Sequence, residues 1–137
     1  MGTVAVFFFR GSKIALGGHT SMKHLPASFV ADCRRRLLAT KAELLNQLHA
    51  GRDHLSRTER LSDTTDMSTR LIEENEIVSL QGHWRRQLYE IELALHRIDA
   101  GKYGVCEETE EPIEMSRLGA LPWTRYSLEG AELLETR

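Results

Sequence analysis

Two cysteines are the residues of this 137-residue chain best suited to metal or redox chemistry, and they lie far apart in sequence. Cys106 follows the tight-turn stretch "GKYG", as if a small metal-binding module were about to begin. Thiolate zinc sites and redox dithiols need a second cysteine close by, and neither Cys106 nor Cys33 has one. We therefore expect Cys106 to be a buried thiol whose acidic surroundings raise its pKa and keep it unreactive. A chain with two cysteines that lie far apart in sequence also favours a reducing, cytoplasmic location.

A pair of acids, Asp63 and Asp66, is the second candidate for chemistry. They stand three residues apart in "LSDTTDMS", residues 61 to 68. Paired carboxylates can hold magnesium for hydrolysis, but aspartate also bonds nearby backbone amides in turns and at helix starts. Spacing alone favours the turn and cap interpretation.

Two stretches with a seven-residue apolar repeat flank these acids and must position them. A repeat of this kind predicts a helix packed along one partner seam, and so short a connection forces the two helices to be antiparallel. The first helix is expected to start with Pro26 in its first turn. The first stripe contains Val30, Leu37, Leu44, Leu48 and Leu55, widened by Leu38 and Leu45; the second contains Ile77, Leu80, Trp84, Leu88, Ile91, Ala94, Leu95 and Ile98.

The two stripes match in register if the turn centres near Asp63. The predicted pairs are Leu37 with Ile91, Leu44 with Trp84, and Leu55 with Ile72. Residues 26–100 are therefore predicted to form a long antiparallel coiled-coil hairpin with an acidic tip near residues 62–68. Such a hairpin buries only one seam, so its base needs a compact anchor.

Residues 101–137 are predicted to be that anchor, ending in a short helix that begins near Ser127. Gly101 is expected to end the second long helix. The apolar residues available for a small core are Ile113, Leu118, Leu121, Trp123, Tyr126, Leu128 and Leu133. Residues 1–25 are expected to be a tail or one peripheral strand, and Met22 is an alternative start. The fold class is thus mainly α.

Composition and charge narrow the range of partners. A net charge of −2 gives no electrostatic reason to expect DNA or an anionic membrane as the main partner, because either favours a clearly basic face. The apolar run "VAVFFF", residues 4–9, is far shorter than the roughly 20 residues of a membrane span. We expect no membrane association.

A motif near the end of the second helix resembles the DksA/TraR family of bacterial transcription regulators. The family pattern I-D-x-G-x-Y-G-x-C-E, continuing to R-L-x-A-x-P, is matched by residues 98–122. The matching residues are Ile98, Asp99, Gly101, Tyr103, Gly104, Cys106, Glu107, Arg117, Leu118, Ala120 and Pro122. The resemblance implies a coiled-coil hairpin anchored on a small finger domain.

In that family four cysteines bind zinc in the finger. The positions matching them here are Cys106, Thr109, Ser127 and Gly130, so the resemblance implies a degenerate finger. One thiolate does not satisfy a tetrahedral structural site. We expect no zinc, and a finger held by its apolar cluster and by hydroxyl hydrogen bonds from Thr109 and Ser127.

The family also carries D-x-x-D-x-A at the hairpin tip, matched here by Asp63, Asp66 and Ser68. The resemblance implies a monomeric, non-enzymatic factor that inserts this tip into the secondary channel of RNA polymerase and modulates initiation without binding DNA. Transcript-cleavage factors enter the same channel with paired acids, and a coiled-coil adaptor is a third reading. An exposed apolar stripe would favour the adaptor.

Guanosine tetraphosphate often acts with this family, which implies the alarmone as a co-regulator. In the family, basic residues on the second helix and finger contact the alarmone. The positions that align with them in this chain are Glu90, Leu121 and Ala131, and none of these residues is basic. Arg125 and Lys102 are the residues left to compensate.

Overall fold

The computed structural model describes residues 22–60 and 67–137. Within them lie four α-helices: α1 Ala27–Arg60, α2 Met67–Asp99, α3 Met115–Ala120 and α4 Leu128–Glu135. The predicted mainly-α fold with a hairpin of two long helices is confirmed. The predicted tail of residues 1–25 falls outside the described residues except for its last four, and so do Asp63 and Asp66.

Pro26 marks the start of α1, the first of the two long helices. Val30 N donates to the Pro26 carbonyl at 3.1 Å, so Pro26 caps α1 from just outside the first turn, one position earlier than predicted. At 34 and 33 residues, α1 and α2 are each about 50 Å long at 1.5 Å per residue. No described helix is long and apolar enough to cross a membrane.

The end of α2 is a Schellman motif. Gly101 has a φ of 74°, its N–H donates to the Ile98 carbonyl at 3.1 Å, and the N–H of Lys102 donates to Arg97 at 2.8 Å. This pattern satisfies the last carbonyls of a helix and suits glycine at the left-handed position. The prediction that Gly101 ends the helix is confirmed.

Residues 38–91 form one compact unit, which contains the distal part of the hairpin. Leu44, Leu48 and Ile91 are buried along its seam as predicted. A buried glutamine also lies in the seam: a Cβ at Gly51 would come within 2.9 Å of Gln81 Nε2, so the glycine leaves room for the amide.

Four seam assignments in this unit were wrong. On α1, Leu38 and Leu45 are exposed and do not widen the buried stripe. On α2, Leu80 and Ile72 are exposed, so Ile72 is not the buried partner of Leu55. One residue along a helix is a rotation of about 100°, so the burial of Gln81 turns its neighbour Leu80 away from the seam. The sequence pattern favoured the apolar Leu80 for this seam position, which the polar Gln81 occupies instead.

Residues 22–37 and 92–137 form the second compact unit, in which the bases of both long helices share a core with the finger. Ile113 and Leu118 are buried as predicted, whereas Leu121, Leu128 and Leu133 are exposed. The core of this unit consists of Leu25, Val30, Cys33, Leu37, Ala94, Leu95, Tyr103, Cys106, Ile113 and Leu118. The core of the finger thus contains Tyr103 and Cys106, which were not predicted to belong to it, and lacks the three predicted leucines.

The finger begins with a tight loop that returns on itself. Val105 and Pro112 form an isolated antiparallel bridge, and Ile113 N donates to the Gly104 carbonyl at 2.8 Å. Gly104 has a φ of 86°, and a Cβ there would lie 2.6 Å from Leu25 Cδ1. The turn therefore needs glycine both for its backbone conformation and for close packing by the segment before α1.

We expect Gly104→Ala to lower the free energy of unfolding by about 2–4 kcal/mol, since it combines left-handed strain with a steric clash. Gly101→Ala is the matched control: its φ is similarly positive, but a Cβ would meet no atom within 4 Å. It should cost about 1 kcal/mol, from strain alone. Urea unfolding followed by circular dichroism measures both; equal losses would contradict the packing of Leu25 on Gly104.

Candidate functional site

The loop between Val105 and Pro112 presents the Cys106 thiol to the interior of the finger. Cys106 N donates to the Glu111 carbonyl at 2.8 Å, and Glu110 N donates to the Cys106 carbonyl at 2.9 Å. Thr109 N approaches Cys106 Sγ at 3.5 Å. The sulfur is therefore held by its own loop and almost fully removed from solvent.

Ser127 approaches the same sulfur from the start of α4. It is the N-cap of that helix, and its Oγ accepts a hydrogen bond from Gly130 N at 3.0 Å. Its side chain is also hydrogen-bonded to the Cys106 thiol. One hydroxyl thus links the cap of α4 to the loop of Cys106.

Gly130 completes the cluster by leaving space. A Cβ at this position would lie 2.4 Å from Cys106 Sγ and 3.3 Å from Ser127 Oγ. The four positions inferred from the sequence, Cys106, Thr109, Ser127 and Gly130, are therefore brought together around one sulfur atom. We call these four residues the sulfur cluster.

The prediction of a raised pKa for Cys106 was wrong. Burial alone raises the pKa of this thiol, but side-chain hydrogen bonds from Ser127 and Thr109, with backbone bonds from the same residues, outweigh burial and lower it. Hydrogen bonds to the charged form favour the thiolate. The acidic neighbours along the chain, which suggested the opposite direction, are not among its causes.

The donor set of the sulfur cluster does not match that of a structural zinc site. Such a site takes four good ligands at tetrahedral positions, whereas the cluster has one thiol, two hydroxyls and a glycine without a side chain. The place of a fourth ligand at Gly130 is filled by the sulfur itself. Elsewhere in the described chain, too, no group of three histidine, cysteine or acidic side chains is placed to hold a metal.

A buried tyrosine near the cluster was not predicted as a core residue. Tyr103 is fully buried, and its hydroxyl donates to the Pro122 carbonyl at 2.6 Å. Burial raises the pKa of Tyr103 far above its ordinary value, and the electrostatic interaction and hydrogen bond with Cys33 add to this shift. Tyr103 is therefore a neutral structural link between α1 and the finger, and both cysteines are free thiols.

A charge network also joins the finger loop to the end of α2. Glu107 pairs with Arg97 at 3.6 Å and with Arg125 at 3.4 Å, and its backbone N–H donates to the Arg125 carbonyl at 2.9 Å. Because Glu107 is partly exposed, these pairs orient the loop more than they stabilise it. The network engages Arg125, one of the two residues left to compensate at the alarmone position.

The remaining sequence-predicted site residues are dispersed. Ser68 is exposed in the first turn of α2, while Asp63 and Asp66 belong to the connection outside the described residues. Of the alarmone positions, Glu90 is half-buried on α2, Leu121 is exposed after α3, and Ala131 is half-buried on α4.

The fold and site together define a class of protein: a two-helix hairpin whose base is packed with a finger lacking most of its metal ligands. Residues 101–135 match the model of the prokaryotic dksA/traR C4-type zinc finger. The RNA polymerase-binding transcription factor DksA of Caulobacter vibrioides is 34% identical over 105 residues, covering 76% of this chain and 74% of that protein. This chain belongs to the DksA/TraR family.

Other relatives agree over similar lengths. An uncharacterized protein of Aquifex aeolicus is 34% identical over 107 residues, covering 75% of this chain and 74% of its own. The structure of the transcription factor DksA2 from Pseudomonas aeruginosa aligns with a TM-score of 0.75 at 28% identity, covering 92% of this chain and 98% of that one. A Chlamydia trachomatis regulator, at 23% identity and a TM-score of 0.51, shares the fold.

Replacing Ser127 by alanine should raise the pKa of Cys106 and cost about 1 kcal/mol through loss of the α4 cap. Because the folded pKa of Cys106 is lowered, wild-type stability should rise with pH through the interval between its folded and unfolded pKa values. That rise should be smaller in Ser127→Ala. Thiolate ultraviolet absorbance against pH, in a Cys33→Ser background, measures the pKa directly.

Ser116→Ala is the matched control, since Ser116 is an exposed serine on the neighbouring helix α3. It should leave both the pKa of Cys106 and its pH-dependent stability unchanged. An unchanged pKa in Ser127→Ala would contradict the hydrogen bond between the hydroxyl and the sulfur.

Proposed function

We propose that this protein is an RNA polymerase-binding transcription factor that modulates initiation. One copy inserts the tip formed by Asp63, Asp66 and Ser68 into the secondary channel, without catalysing a reaction and without binding DNA. The observation that carries the proposal is the 34% identity to the DksA of Caulobacter vibrioides over 105 residues. The match to the DksA2 structure over 92% of the chain supports it. The cytoplasm, where bacterial polymerase works, is the proposed location.

The dimensions of the hairpin suit this role. The two long helices have 34 and 33 residues and are each about 50 Å long, and a pair of slender helices can enter a channel too narrow for a globular domain. Carboxylates carried at the connection between the helices would then meet basic residues or a metal ion at the far end.

We also propose that the finger works without zinc. The sulfur cluster supports this, since hydrogen bonds from Thr109 and Ser127 and the close approach of Gly130 satisfy the single thiol. The buried side chains of Tyr103 and Ile113 supply the packing that a metal provides in small domains. A zinc-free factor of this kind would remain folded when zinc is scarce.

Regulation by guanosine tetraphosphate is proposed to be weak or absent. The three aligned positions carry an acid, a leucine and an alanine, and Arg125 is already engaged by Glu107. Lys102 alone is a poor site for a highly charged anion, because phosphate recognition uses several donors together.

Purified protein should contain substoichiometric zinc, and addition of a strong chelator should leave its melting temperature unchanged. The reason is that the finger core is apolar and hydrogen-bonded, with no metal to remove. Elemental analysis by mass spectrometry and thermal unfolding give the two measurements. A DksA with four finger cysteines is the control, expected to lose stability on chelation; the same loss here would overturn the zinc-free proposal.

The protein should compete with a known secondary-channel factor for RNA polymerase. Asp66→Asn should still compete but lose its effect on initiation, because removing one charge at the tip leaves the hairpin and its base intact. Competition is measured by displacement of a labelled channel factor, and the effect by the lifetime of promoter complexes. Failure of the wild type to compete would refute polymerase binding through the channel.

The same experiment separates the alternative readings. Magnesium-dependent transcript hydrolysis that needs polymerase and disappears in Asp63→Asn would establish the cleavage-factor reading. Full activity of Asp66→Asn on initiation would exclude a role for that carboxylate. The adaptor hypothesis is favoured by one observation, the exposure of the apolar residues Leu71, Val78 and Tyr89 on α2.

A further inference from the structure

The seam between α1 and α2 in residues 38–91 becomes polar toward the connection of the two helices. At the far end of this unit the buried seam residues Leu44, Leu48 and Ile91 are all apolar. The inward-facing residues of α2 that follow at seam spacing are Gln81, Ile77, Glu74 and Arg70. Three of these four residues carry polar or charged side chains.

The contact between Gly51 and Gln81, which we call the Gly51–Gln81 layer, marks the change. Gln81 is 5% exposed, and a Cβ at Gly51 would lie 2.9 Å from its Nε2 and 3.6 Å from its Cγ. The amide therefore crosses the bare backbone of α1. Burial of an amide in a seam costs free energy that a leucine would not cost, and the glycine offers no apolar side chain in return.

Two further layers lie between this contact and the connection. Residue numbers rise along one antiparallel helix as they fall along the other, so Leu55 faces Ile77 and Thr58 faces Glu74. All four residues are half-buried. The Thr58 hydroxyl donates to the His54 carbonyl at 2.9 Å, so it bonds its own helix. Of these two layers, only that of Leu55 and Ile77 is apolar on both sides.

The ion pair in this region also acts within one helix. Arg70 Nε lies 3.4 Å from Glu74 Oε1, four residues along α2, and the two side chains are 19% and 28% exposed. A pair at this spacing stabilises the helix that carries it but does not by itself hold α2 to α1. Because local stability follows buried apolar contacts, the part of residues 38–91 near the connection is the weaker part.

We propose that residues 51–60 and 67–81, which we call the outer segment, open and reclose locally: the two helices separate up to and including the Gly51–Gln81 layer, while the seam at Leu44, Leu48 and Ile91 stays packed. Gln81 sets the inner limit of this opening, because none of the described side chains of residues 52–59 and 67–80 is buried. The buried apolar side chains begin on the other side of the layer.

The opening has a use in the polymerase channel, a step that rests on the proposed function. Helix ends that can separate and reclose adjust their spacing to the channel while the remaining seam keeps its packing. The local opening itself is a property of the free chain and does not depend on polymerase binding.

Native-state hydrogen exchange of the purified full chain, followed by nuclear magnetic resonance, tests the opening. After correction for intrinsic rates, the amides of Leu55 and Ile77 should exchange about a hundredfold faster than those of Leu48 and Ile91. Their exchange should also depend little on low concentrations of denaturant, since a local opening exposes little surface. Equal exchange of the four amides would overturn the proposal.

Gln81→Leu tests the cause of the opening. It should slow exchange of the Leu55 and Ile77 amides by about tenfold or more, because the layer then buries an apolar side chain over Gly51. Glu76→Leu is the matched control: it adds the same leucine at an exposed position of the outer segment. Glutamine, glutamate and leucine have similar helix propensities, so the control should change the exchange less than about threefold. Equal slowing by both variants would show that the layer does not limit the opening.

Competition for polymerase separates this inference from the proposed function. Gln81→Leu should compete less well than wild type with a labelled channel factor, because its outer segment opens less often, whereas Glu76→Leu should compete as wild type does. Wild-type competition by Gln81→Leu would exclude a role of the opening in the channel. If wild type itself fails to compete, the proposed function is refuted, and the exchange rates still decide whether the outer segment opens.

Discussion

The buried hydroxyl of Tyr103 is the contact on which the base of this protein depends. It donates to the Pro122 carbonyl at 2.6 Å and interacts with the Cys33 thiol of α1, so one side chain connects α1 with the first turn of the finger and with the segment after α3. A tyrosine hydroxyl buried without partners would cost several times what the bond contributes. Because both partners are present, Tyr103 is fully buried in the unit whose core also includes Leu37, Leu95 and Ile113.

The sulfur cluster shows how the positions of a metal site can be filled by packing. Thr109 and Ser127 direct hydrogen bonds at Cys106, while Gly130 lets the sulfur occupy the space of a further ligand. Ser127 has a second task, since the same oxygen caps α4. The loop of Cys106 and the start of α4 are therefore joined through one hydroxyl and one thiol.

Sequence reasoning predicted the long helices because a seven-residue repeat continued over many turns leaves few alternatives. It also located the end of α2 at Gly101 and the start of α4 near Ser127, where single residues have strong backbone preferences. It assigned Leu80 to the seam because leucine is apolar and its neighbour Gln81 is polar, although Gln81 is the residue that is buried there. Rotation along the helix, which the burial of Gln81 decides, is not visible in composition.

The finger was harder to predict because its core is made by contacts between residues distant in sequence. Tyr103 looked like a turn residue, and only the fold brings Cys33 and Pro122 to its hydroxyl. The pKa of Cys106 was misjudged for the same reason: the sequence displays its acidic neighbours but not the hydroxyls that the fold directs at the sulfur. The four cluster positions were inferred from the family motif, which carries their spacing, and their correspondence to zinc ligands stays a prediction.

The finger and the bases of both long helices form one cooperative unit held by packing. Native-state amide hydrogen exchange in metal-free buffer tests this cooperativity most directly. The amides of Ile113 and Gly130 in the finger should open with the same free energy as those of Leu37 and Leu95 in the helix bases. Finger amides that exchange freely while the helix amides stay protected would contradict it.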